Sequence, residues 1–290
     1  MRFSGHDTFH CREQWLLKGI QLIDNQKDDS AFRSENAIYQ LGVGKNMVRS
    51  IHYWLRSFSL INDKDEFTDY SKFLFLNEKY DPFLENPSSL YILQYLLASK
   101  EYASIYSLLF KEFFKDKASL EFSEVQIINF IKRILFQEGV KKFTEKTIKT
   151  DFKVFIRSYV PPKKNLKTIE DDFSAPLLSL KLIIATGKLN DINQPIYKIN
   201  RGVRKDLSEF VFAYSVVDFF QDQNAIDFTD IFYFLGTILG LNNEGLEEII
   251  ERLCSADSRF IFKSDAGVKQ LQLKQNDQKI KDELLEKIYA

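Results

Sequence analysis

Three ionisable side chains near the start of the chain are close enough in sequence to do acid–base chemistry or to bind a metal. His6 precedes Asp7, and an imidazole that titrates near neutrality beside a carboxylate is suited to proton transfer. His6 and His10 have the spacing of a metal-binding pair on a helix, but no His-Glu-x-x-His string or nearby cysteine pair completes a site. A structural histidine held by hydrogen bonds is therefore the favoured interpretation of each ring.

A second group is a row of basic residues that follows the string Leu-Gly-Val-Gly at 41–44. Apolar residues recur from Met47 to Phe58 at helical spacing, which predicts an amphipathic helix with one buried face. The opposite face carries Lys45, Arg49, His52 and Arg56. With a short helix over 35–40, capped by Ser34, the pattern predicts a helix-turn-helix whose second helix enters the major groove of DNA. The alternative is a core helix whose basic face is only solvated.

The same arrangement recurs in the middle of the chain. A predicted helix over 123–137 ends near Gly139, and a second apolar stripe from Ile148 to Tyr159 repeats the spacing of the first. Its basic residues are Lys146, Lys149, Lys153 and Arg157. We therefore predict that both basic faces contact double-stranded DNA. Asn46 and Arg49, in the N-terminal turns of the first helix, are predicted to read bases, and the other cations are predicted to bind phosphates.

Turn and strand patterns extend these helices into larger units. Short apolar runs at 60–61 and 73–76 flank a polar tip and predict the two strands of a wing. Near the C-terminus a predicted hairpin over 259–273 follows a series of helices. Those helices are predicted over 205–220, 229–239 and 244–254. Helices followed by a hairpin are in winged-helix order in both places.

The last unit differs from the others in charge. Its final helix before the hairpin carries Glu244, Glu247, Glu248 and Glu251. An acidic face repels phosphate, so we predict that this unit contacts protein. An apolar stripe from Ile280 to Ile288 suits either docking within the chain or a homodimer. The predicted fold is mainly α, with helical bundle units and winged-helix modules, in domains 1–80, 81–165 and 166–290.

Bulk composition limits the possible functions. The chain has 290 residues, 44% of them hydrophobic, and a net charge of -1, so DNA contact must come from local basic faces. The two cysteines, Cys11 and Cys254, are far apart, which fits a reducing cytoplasm. We expect a cytoplasmic protein without a signal peptide. We also expect no membrane span, because no stretch reaches about 18 uncharged apolar residues.

Nuclease motifs are scarce in the sequence. Two Asp-x-Lys strings, beginning at Asp151 and Asp277, lie in predicted helices rather than on the strand that a restriction-type site requires. Glu170, Asp171 and Asp172 could ligate Mg²⁺, although an acidic run is also typical of a solvated turn or a helix N-terminus. No nucleotide-binding P-loop is present.

Two strings in the first 55 residues resemble one prokaryotic family. They are Phe-Ser-Gly-His-Asp-Thr-Phe at 3–9 and Leu-Gly-Val-Gly-Lys-Asn-Met-Val at 41–48. The family is the SspB-type DNA nickases, which share a domain of unknown function. Its members have Glu at the position that Asp7 occupies in this chain. Weaker similarity continues downstream. The resemblance implies a site-directed nickase that opens DNA for sulfur insertion, in a phosphorothioate modification system that defends against phage.

The combined prediction is a DNA-binding and DNA-nicking protein. Its catalytic candidates are His6, Asp7 and Arg12, and its candidate cofactor is Mg²⁺ or Mn²⁺. Its candidate partners are double-stranded DNA, a second copy of the chain, and the ATPase and sulfurtransferase-like enzyme that the resemblance implies. A non-catalytic DNA-binding adaptor or transcription regulator explains the helices equally well. A third alternative is a protein-interaction scaffold whose basic faces are merely solvated.

Overall fold

Apolar residues at helical spacing dominate the sequence, and the chain is mainly helical, as predicted. The computed structural model describes residues 1–26, 31–76, 80–115, 119–140, 142–162, 175–221, 223–265, 267–274 and 279–290. In the N-terminal half the helices are α1 Glu13–Gln26, α2 Asn36–Leu41, α3 Lys45–Ser57, α4 Asp69–Ser71, α5 Pro87–Ser99, α6 Ser104–Leu108, α7 Glu124–Gln137 and α8 Glu145–Tyr159. In the C-terminal half they are α9 Glu209–Phe219, α10 Phe228–Ile231, α11 Thr237–Leu239, α12 Asn243–Ala256 and α13 Ile280–Tyr289.

Shorter helical segments connect some of these elements. A π-helical turn continues α4, another continues α6, and a third joins α10 to α11; a 3₁₀ turn precedes the first hairpin. These segments are Lys72–Leu76, Leu109–Phe113, Phe232–Gly236 and Pro176–Leu180 respectively. Each π turn is rich in aromatic residues that pack into or against the core.

Two three-stranded antiparallel sheets lie among the helices. The first has the order β1-β3-β2, and the second has the order β4-β6-β5. The strands are β1 Glu121–Ser123, β2 Ile183–Leu189, β3 Pro195–Ile199, β4 Ala225–Asp227, β5 Phe260–Asp265 and β6 Val268–Leu273. In each sheet a short strand that leads into a helix pairs with the second strand of a later hairpin. The hairpin over 259–273 and the strand near 196–199 are thus confirmed.

The predicted domain boundaries remain a prediction, but the sheets and core bear on them. Phe122 of β1 pairs with Tyr197 of β3, so one sheet uses strands from both sides of residue 165. Among the described residues, one continuous cluster of buried apolar side chains extends from Phe3 to Leu285. The three predicted units therefore share their core.

The predicted wing of the first unit is wrong at 73–76, which is π-helical. Thr68 accepts a hydrogen bond from the backbone N–H of Ser71 and begins a helix there. A short apolar run cannot distinguish a strand from a buried helix, so the sequence pattern was ambiguous. Between the described residues of this unit, the β pairing is an isolated bridge of Ile61 with Phe67. The predicted Ser34 cap is also wrong: α2 begins after Glu35, without a side-chain cap.

Helix α3 is held tightly in the core because α1 crosses it at a glycine. A Cβ at Gly19 would lie 2.8 Å from side-chain atoms of Ile51 and Leu55, so only glycine permits this approach. Ile51, Trp54 and Leu55 are fully buried, which confirms the predicted apolar face. Because the apolar face of α3 is packed in the core, the orientation of its basic face is fixed.

The terminal helix α13 docks within the chain. Ile280, Leu284 and Leu285 are buried, and α13 packs on α9. The Tyr289 hydroxyl lies 2.7 Å from the Ser89 hydroxyl, which joins the end of the chain to α5. The predicted apolar stripe is thus used for intramolecular packing. Over the residues that the structure describes, no helix combines the length and the apolar character needed to cross a membrane.

Candidate nucleic-acid interface

The N-terminal loop, residues 3–9, is held between the two predicted DNA-contacting helices. On one side the Ser4 N–H donates to both carboxylate oxygens of Asp151, on α8, at 3.0 and 3.1 Å. On the other side the Ser50 hydroxyl of α3 donates to the His6 carbonyl at 3.0 Å, and the Trp54 indole N–H donates to the Phe9 carbonyl. The loop thus ties α3 and α8 to a common element.

The loop is also strained and tightly packed. Ser4, Asp7 and Thr8 all have positive φ, a conformation that residues other than glycine rarely adopt. Gly5 lies against the ring of Tyr53, where a Cβ would come within 2.3 Å of Cδ2. Strain of this kind persists only where surrounding contacts determine it, and it is concentrated at functional sites. The loop is therefore a candidate functional element in its own right.

His6 lies beneath the surface and faces Asp151 rather than Asp7. Its side chain is 1% exposed, and its Nε2 is 3.3 Å from the Asp151 carboxylate, which is equally buried. The Thr8 N–H donates to Nδ1 at 3.1 Å, so the ring proton belongs on Nε2, towards Asp151. The imidazole is stacked on Trp54. In this arrangement His6 anchors the loop to the buried side chains of Asp151 and Trp54.

Sequence reasoning missed Asp151 as a site residue. In the sequence, Asp151 stands out only as part of an Asp-x-Lys string, and that string lies in a helix rather than on the strand that a restriction-type site requires. The signal that could have identified it is its position in the helical repeat. Asp151 lies on the apolar face of α8, between Ile148 and Phe152, and is buried with them. A charged residue on a buried face requires a partner, which a single sequence does not identify.

Asp7 pairs with Arg49, which lies on the basic face of α3. The Arg49 Nε donates to the Asp7 carboxylate at 2.8 Å, and its Nη2 donates to the Asn46 side-chain oxygen at 2.9 Å. The Arg49 side chain is 57% exposed. The two residues predicted to read bases, Asn46 and Arg49, are therefore hydrogen-bonded to each other. Asp7, from outside the helix, orients the Arg49 guanidinium.

Asp65 organises the other half of the basic face. His52 Nε2 lies 2.7 Å from its carboxylate, and the Arg56 guanidinium donates to the same oxygen at 2.7 and 3.0 Å. Burial lowers the pKa of His52 below its ordinary value, outweighing its hydrogen bond to Asp65. Burial disfavours the ionised form of Asp65, but hydrogen bonds from His52 and Arg56 still lower its pKa. At neutral pH, Arg56 is therefore the cation of this cluster and His52 is an uncharged donor.

The cations of this face line a cleft of about 840 Å³. One wall, the basic wall, is the face of α3 that carries Lys45, Arg49, His52 and Arg56. The facing wall comes from residues 32–39 and is apolar and aromatic, with Phe32, Ile38 and Tyr39 beside Arg33 and Glu35. Arg2, Gly5, Tyr53 and Tyr102 are also in the lining. The volume lies within the range of ligand-binding pockets, roughly 300–1,000 Å³.

The second predicted basic face lies outside this cleft. On α8 the side chains of Lys146, Lys153 and Arg157 are exposed. Lys149 is paired with Glu145 at 2.8 Å, and Glu145 also binds Lys132. The predicted apolar face of α8 is buried, from Ile148 to Tyr159. The exposed cations of α8 are thus presented to solvent, unlike those of the cleft.

The remaining predicted site residues do not form a recognisable metal centre. Arg12 is half-buried, with its guanidinium carbon 5.2 Å from the centroid of the Trp15 ring. His10 is buried. The acidic run 170–172 lies outside the described residues. Within the described residues, no three His, Cys, Asp or Glu side chains are grouped to hold a metal ion. Glu35 lies in the cleft lining without a second carboxylate there among the described residues, and Asp7 and Asp65 beside the cleft each bind a guanidinium, so the described residues do not assemble a site for Mg²⁺ or Mn²⁺.

Fold and site together define a class: a mainly helical protein with a basic, partly aromatic cleft, a kind of surface that nucleic-acid-binding proteins use. The chain belongs to the family described as protein of unknown function DUF4007, whose sequence profile matches residues 3–289.

Two solved structures share this fold. They are a crystal structure of SspB and a magnesium ion-bound crystal structure of SspB, each with a TM-score of 0.83 and 23% sequence identity. In both comparisons the match covers 99% of this chain and 87% of the other. At this identity the likeness establishes the fold. No curated protein matches the sequence.

Proposed function

We propose that this protein binds DNA through the cleft beside α3 and through the exposed face of α8. The observation that carries the proposal is the lining of the cleft. Among its described residues, five cations accompany one acid, Glu35, and the cations are Arg2, Arg33, Lys45, Arg49 and Arg56. Asp7 and Asp65, beside the lining, bind only Arg49 and Arg56 among these five. Phosphate is the ligand that clustered guanidinium groups favour, because they donate bidentate, charge-assisted hydrogen bonds. The net charge of the chain is -1, so this local concentration of cations is a feature of the site rather than of the composition.

We infer that two segments follow winged-helix order. In the first, α6, β1, α7 and α8 precede the hairpin β2–β3, and β1 pairs with β3. In the second, α9, β4, α10, α11 and α12 precede the hairpin β5–β6 in the same arrangement. In this interpretation α8 is the recognition helix of the first module. Its exposed Lys146, Lys153 and Arg157 are then the phosphate contacts.

DNA nicking within a phosphorothioate modification system is the finer part of the proposal. It is supported by the family membership, by the fold shared with SspB, and by the resemblance of the strings at 3–9 and 41–48. The catalytic candidates are His6, Asp7 and Arg12. Asp7 is joined to the cleft through Arg49, whereas His6 would act by holding the loop because it is buried. Since the described residues do not fit a divalent metal, we assign no step to one.

A specific observation favours the rival, a non-catalytic DNA-binding adaptor or transcription regulator. Both carboxylates beside the cleft are engaged, Asp7 by Arg49 and Asp65 by Arg56 and His52. A carboxylate held by a guanidinium orients that cation for binding and is a poor base for hydrolysis. The operon ATPase, the sulfurtransferase-like enzyme and a second copy of the chain remain proposed partners under either function.

DNA binding is tested by the salt dependence of affinity. We expect the double variant Arg49→Ala/Lys153→Ala to bind duplex DNA more weakly and to flatten the log–log salt slope by about 0.9 for each phosphate that the variant no longer neutralises. Lys72→Ala removes an exposed lysine outside both surfaces and serves as the control. Unchanged affinity and slope in the double variant would support the scaffold alternative.

Nicking is tested by conversion of supercoiled plasmid to open circle, with Mg²⁺ or Mn²⁺ supplied. We expect activity in the wild type and its loss in Asp7→Ala and His6→Ala. Because His6 is buried, the circular dichroism spectrum must first show that His6→Ala is folded. Nicking that survives in both folded variants would place the active site elsewhere. Salt-sensitive binding without nicking would favour the adaptor, or a nickase that requires its partners.

A further inference from the structure

We propose that the cleft takes an unstacked, single-stranded DNA segment, with its phosphates on α3 and a base against the facing wall, rather than presenting α3 to an intact duplex. This inference rests on the proposed DNA-binding function and specifies its substrate. It replaces the expectation that α3 enters the major groove of a duplex. The proposed contact of α8 with duplex DNA is unchanged.

The first argument is that the C-terminal half of the basic face of α3, which carries His52 and Arg56, is recessed. A recognition helix must project into a groove about 12 Å wide and reach the base edges with its side chains. Here His52 is 25% exposed and Arg56 is 17% exposed, and both are bonded to Asp65. Phe32 stacks on the His52 ring at a centroid distance of 4.7 Å and closes one side. This half of the basic wall can receive a strand but cannot itself enter a duplex, while the exposed Arg49 remains accessible to a phosphate of that strand.

The second argument is that the two walls match the two halves of a nucleotide. The basic wall offers guanidinium groups that are already oriented, because Asp7 holds the Nε of Arg49 and leaves its Nη1 edge unengaged by these contacts. The facing wall offers apolar and aromatic surface from Phe32, Ile38 and Tyr39. A positively charged groove combined with aromatic side chains is how proteins bind single strands without reading a duplex.

The third argument concerns which aromatic ring is available. Phe32 is stacked on His52, and Tyr53 is buried. Tyr102 is covered by the guanidinium of Arg2, 4.0 Å from its ring centroid. Tyr39 is 81% exposed and lies in the cleft lining. An exposed aromatic ring at the rim of a basic cleft is placed to stack on a base, so Tyr39 is the predicted stacking residue.

The test compares the binding of three DNA probes: a single strand, a continuous duplex, and a duplex with a short single-stranded gap that contains 2-aminopurine. The protein variants are Tyr39→Ala, Tyr39→Phe, and Phe136→Ala as the matched control. Phe136 is 87% exposed and lies on α7, outside the cleft lining. Because Tyr39 is exposed, its substitutions leave the core unchanged.

We expect the single strand and the gapped duplex to bind about tenfold more tightly than the continuous duplex, with quenching of 2-aminopurine fluorescence. Tyr39→Ala should weaken gapped-duplex binding about tenfold, as loss of one base–aromatic stack predicts. Tyr39→Phe and Phe136→Ala should bind like the wild type. Salt-sensitive binding that is equal for all three probes and unaffected by Tyr39→Ala would overturn this inference and leave DNA binding in place. Absence of salt-sensitive binding to any probe would overturn DNA binding itself.

Discussion

Two carboxylates from outside α3 determine what its basic face presents to a ligand. Asp7 comes from the N-terminal loop and orients Arg49, while Asp65 follows the helix and binds His52 and Arg56. The row of cations is therefore partly neutralised but well ordered. Order of this kind lowers the entropic cost of binding, since the side chains are already in place. At the residue scale the cleft is a preorganised site with a moderate positive charge.

His52 gives a prediction about pH. Because burial lowers its pKa from the ordinary 6.5, the unfolded state binds more protons than the folded state as pH falls below about 6.5. We therefore expect the wild type to lose stability relative to His52→Gln between about pH 7 and about pH 5. Urea unfolding of both proteins across this range measures the difference. Asp65 stays ionised there, because its pKa is lowered from 3.8. A constant difference across the range would contradict the buried, uncharged assignment.

Asp151 gives a second prediction at this scale. Asp151→Asn removes the charge that lies 3.3 Å from His6 Nε2, and it replaces one of the two oxygens that accept from the Ser4 N–H with a buried amide N–H₂. We expect a loss of about 1–3 kcal/mol in the free energy of unfolding, because buried donors are left unsatisfied. Asp69→Asn is the control, since Asp69 is 90% exposed and its pairing with Lys72 contributes little. Equal stability of the two variants would show that the buried pair is unimportant.

At the scale of elements, the N-terminal loop positions the cleft because it contacts both α3 and α8. Its backbone is fixed at Ser4 by Asp151, at His6 by Ser50 and at Phe9 by Trp54. None of these contacts lies on the exposed, basic side of either helix. The loop uses the buried face of each helix for support, and it contacts the basic face of α3 through the pairing of Asp7 with Arg49.

Gly5→Ala tests this role of the loop. The new Cβ would lie 2.3 Å from the ring of Tyr53, which is buried and cannot move aside. We expect a loss of about 1–3 kcal/mol in stability from overpacking and weaker DNA binding as the loop is displaced. Gly44→Ala is the matched control, because nothing lies within 4 Å of its Cβ and its φ is -70°. It should change stability by less than about 1 kcal/mol. Similar effects of both substitutions would argue against the close packing of Gly5.

At the scale of the whole molecule, the core joins elements that are distant in sequence. The Tyr289 hydroxyl bonds Ser89, and Lys281 and Lys100 both pair with Asp218. The apolar cluster is continuous from Phe3 to Leu285. We expect such a shared core to unfold cooperatively, because the elements that pack on it lose their packing together.

Leu284→Ala tests this cooperativity. Leu284 is fully buried, so we expect a loss of about 2–5 kcal/mol. The chain's two tryptophans, Trp15 and Trp54, both lie in the first 55 residues and report on the opposite end of the sequence. Their fluorescence transition should shift as much as the circular dichroism transition. Leu189→Ala, at a 56% exposed position, should shift neither by much. A fluorescence transition that stays unchanged in Leu284→Ala would show that the first domain unfolds by itself.

The sequence alone determined the features that depend on local spacing. Helices α3 and α8, each with a buried apolar face and a basic face opposite to it, follow from periodicity, because side chains separated by one helical turn must share a face. The hairpin β5–β6 follows from alternation and a turn. The run at 73–76 was predicted wrongly because a short apolar segment is compatible with either a strand or a buried helix.

Only the tertiary structure decided which residues meet. His6 faces Asp151 rather than its neighbour Asp7, and the acids that hold α3's cations come from positions 7 and 65. The helix-turn-helix pattern predicted a helix beside α3, but it did not predict that residues 32–39 and α3 enclose a cleft. The physical reason is that buried and charged groups find their partners in three dimensions. The entropic cost of closing a loop grows only slowly with its length, so those partners can be far apart in sequence.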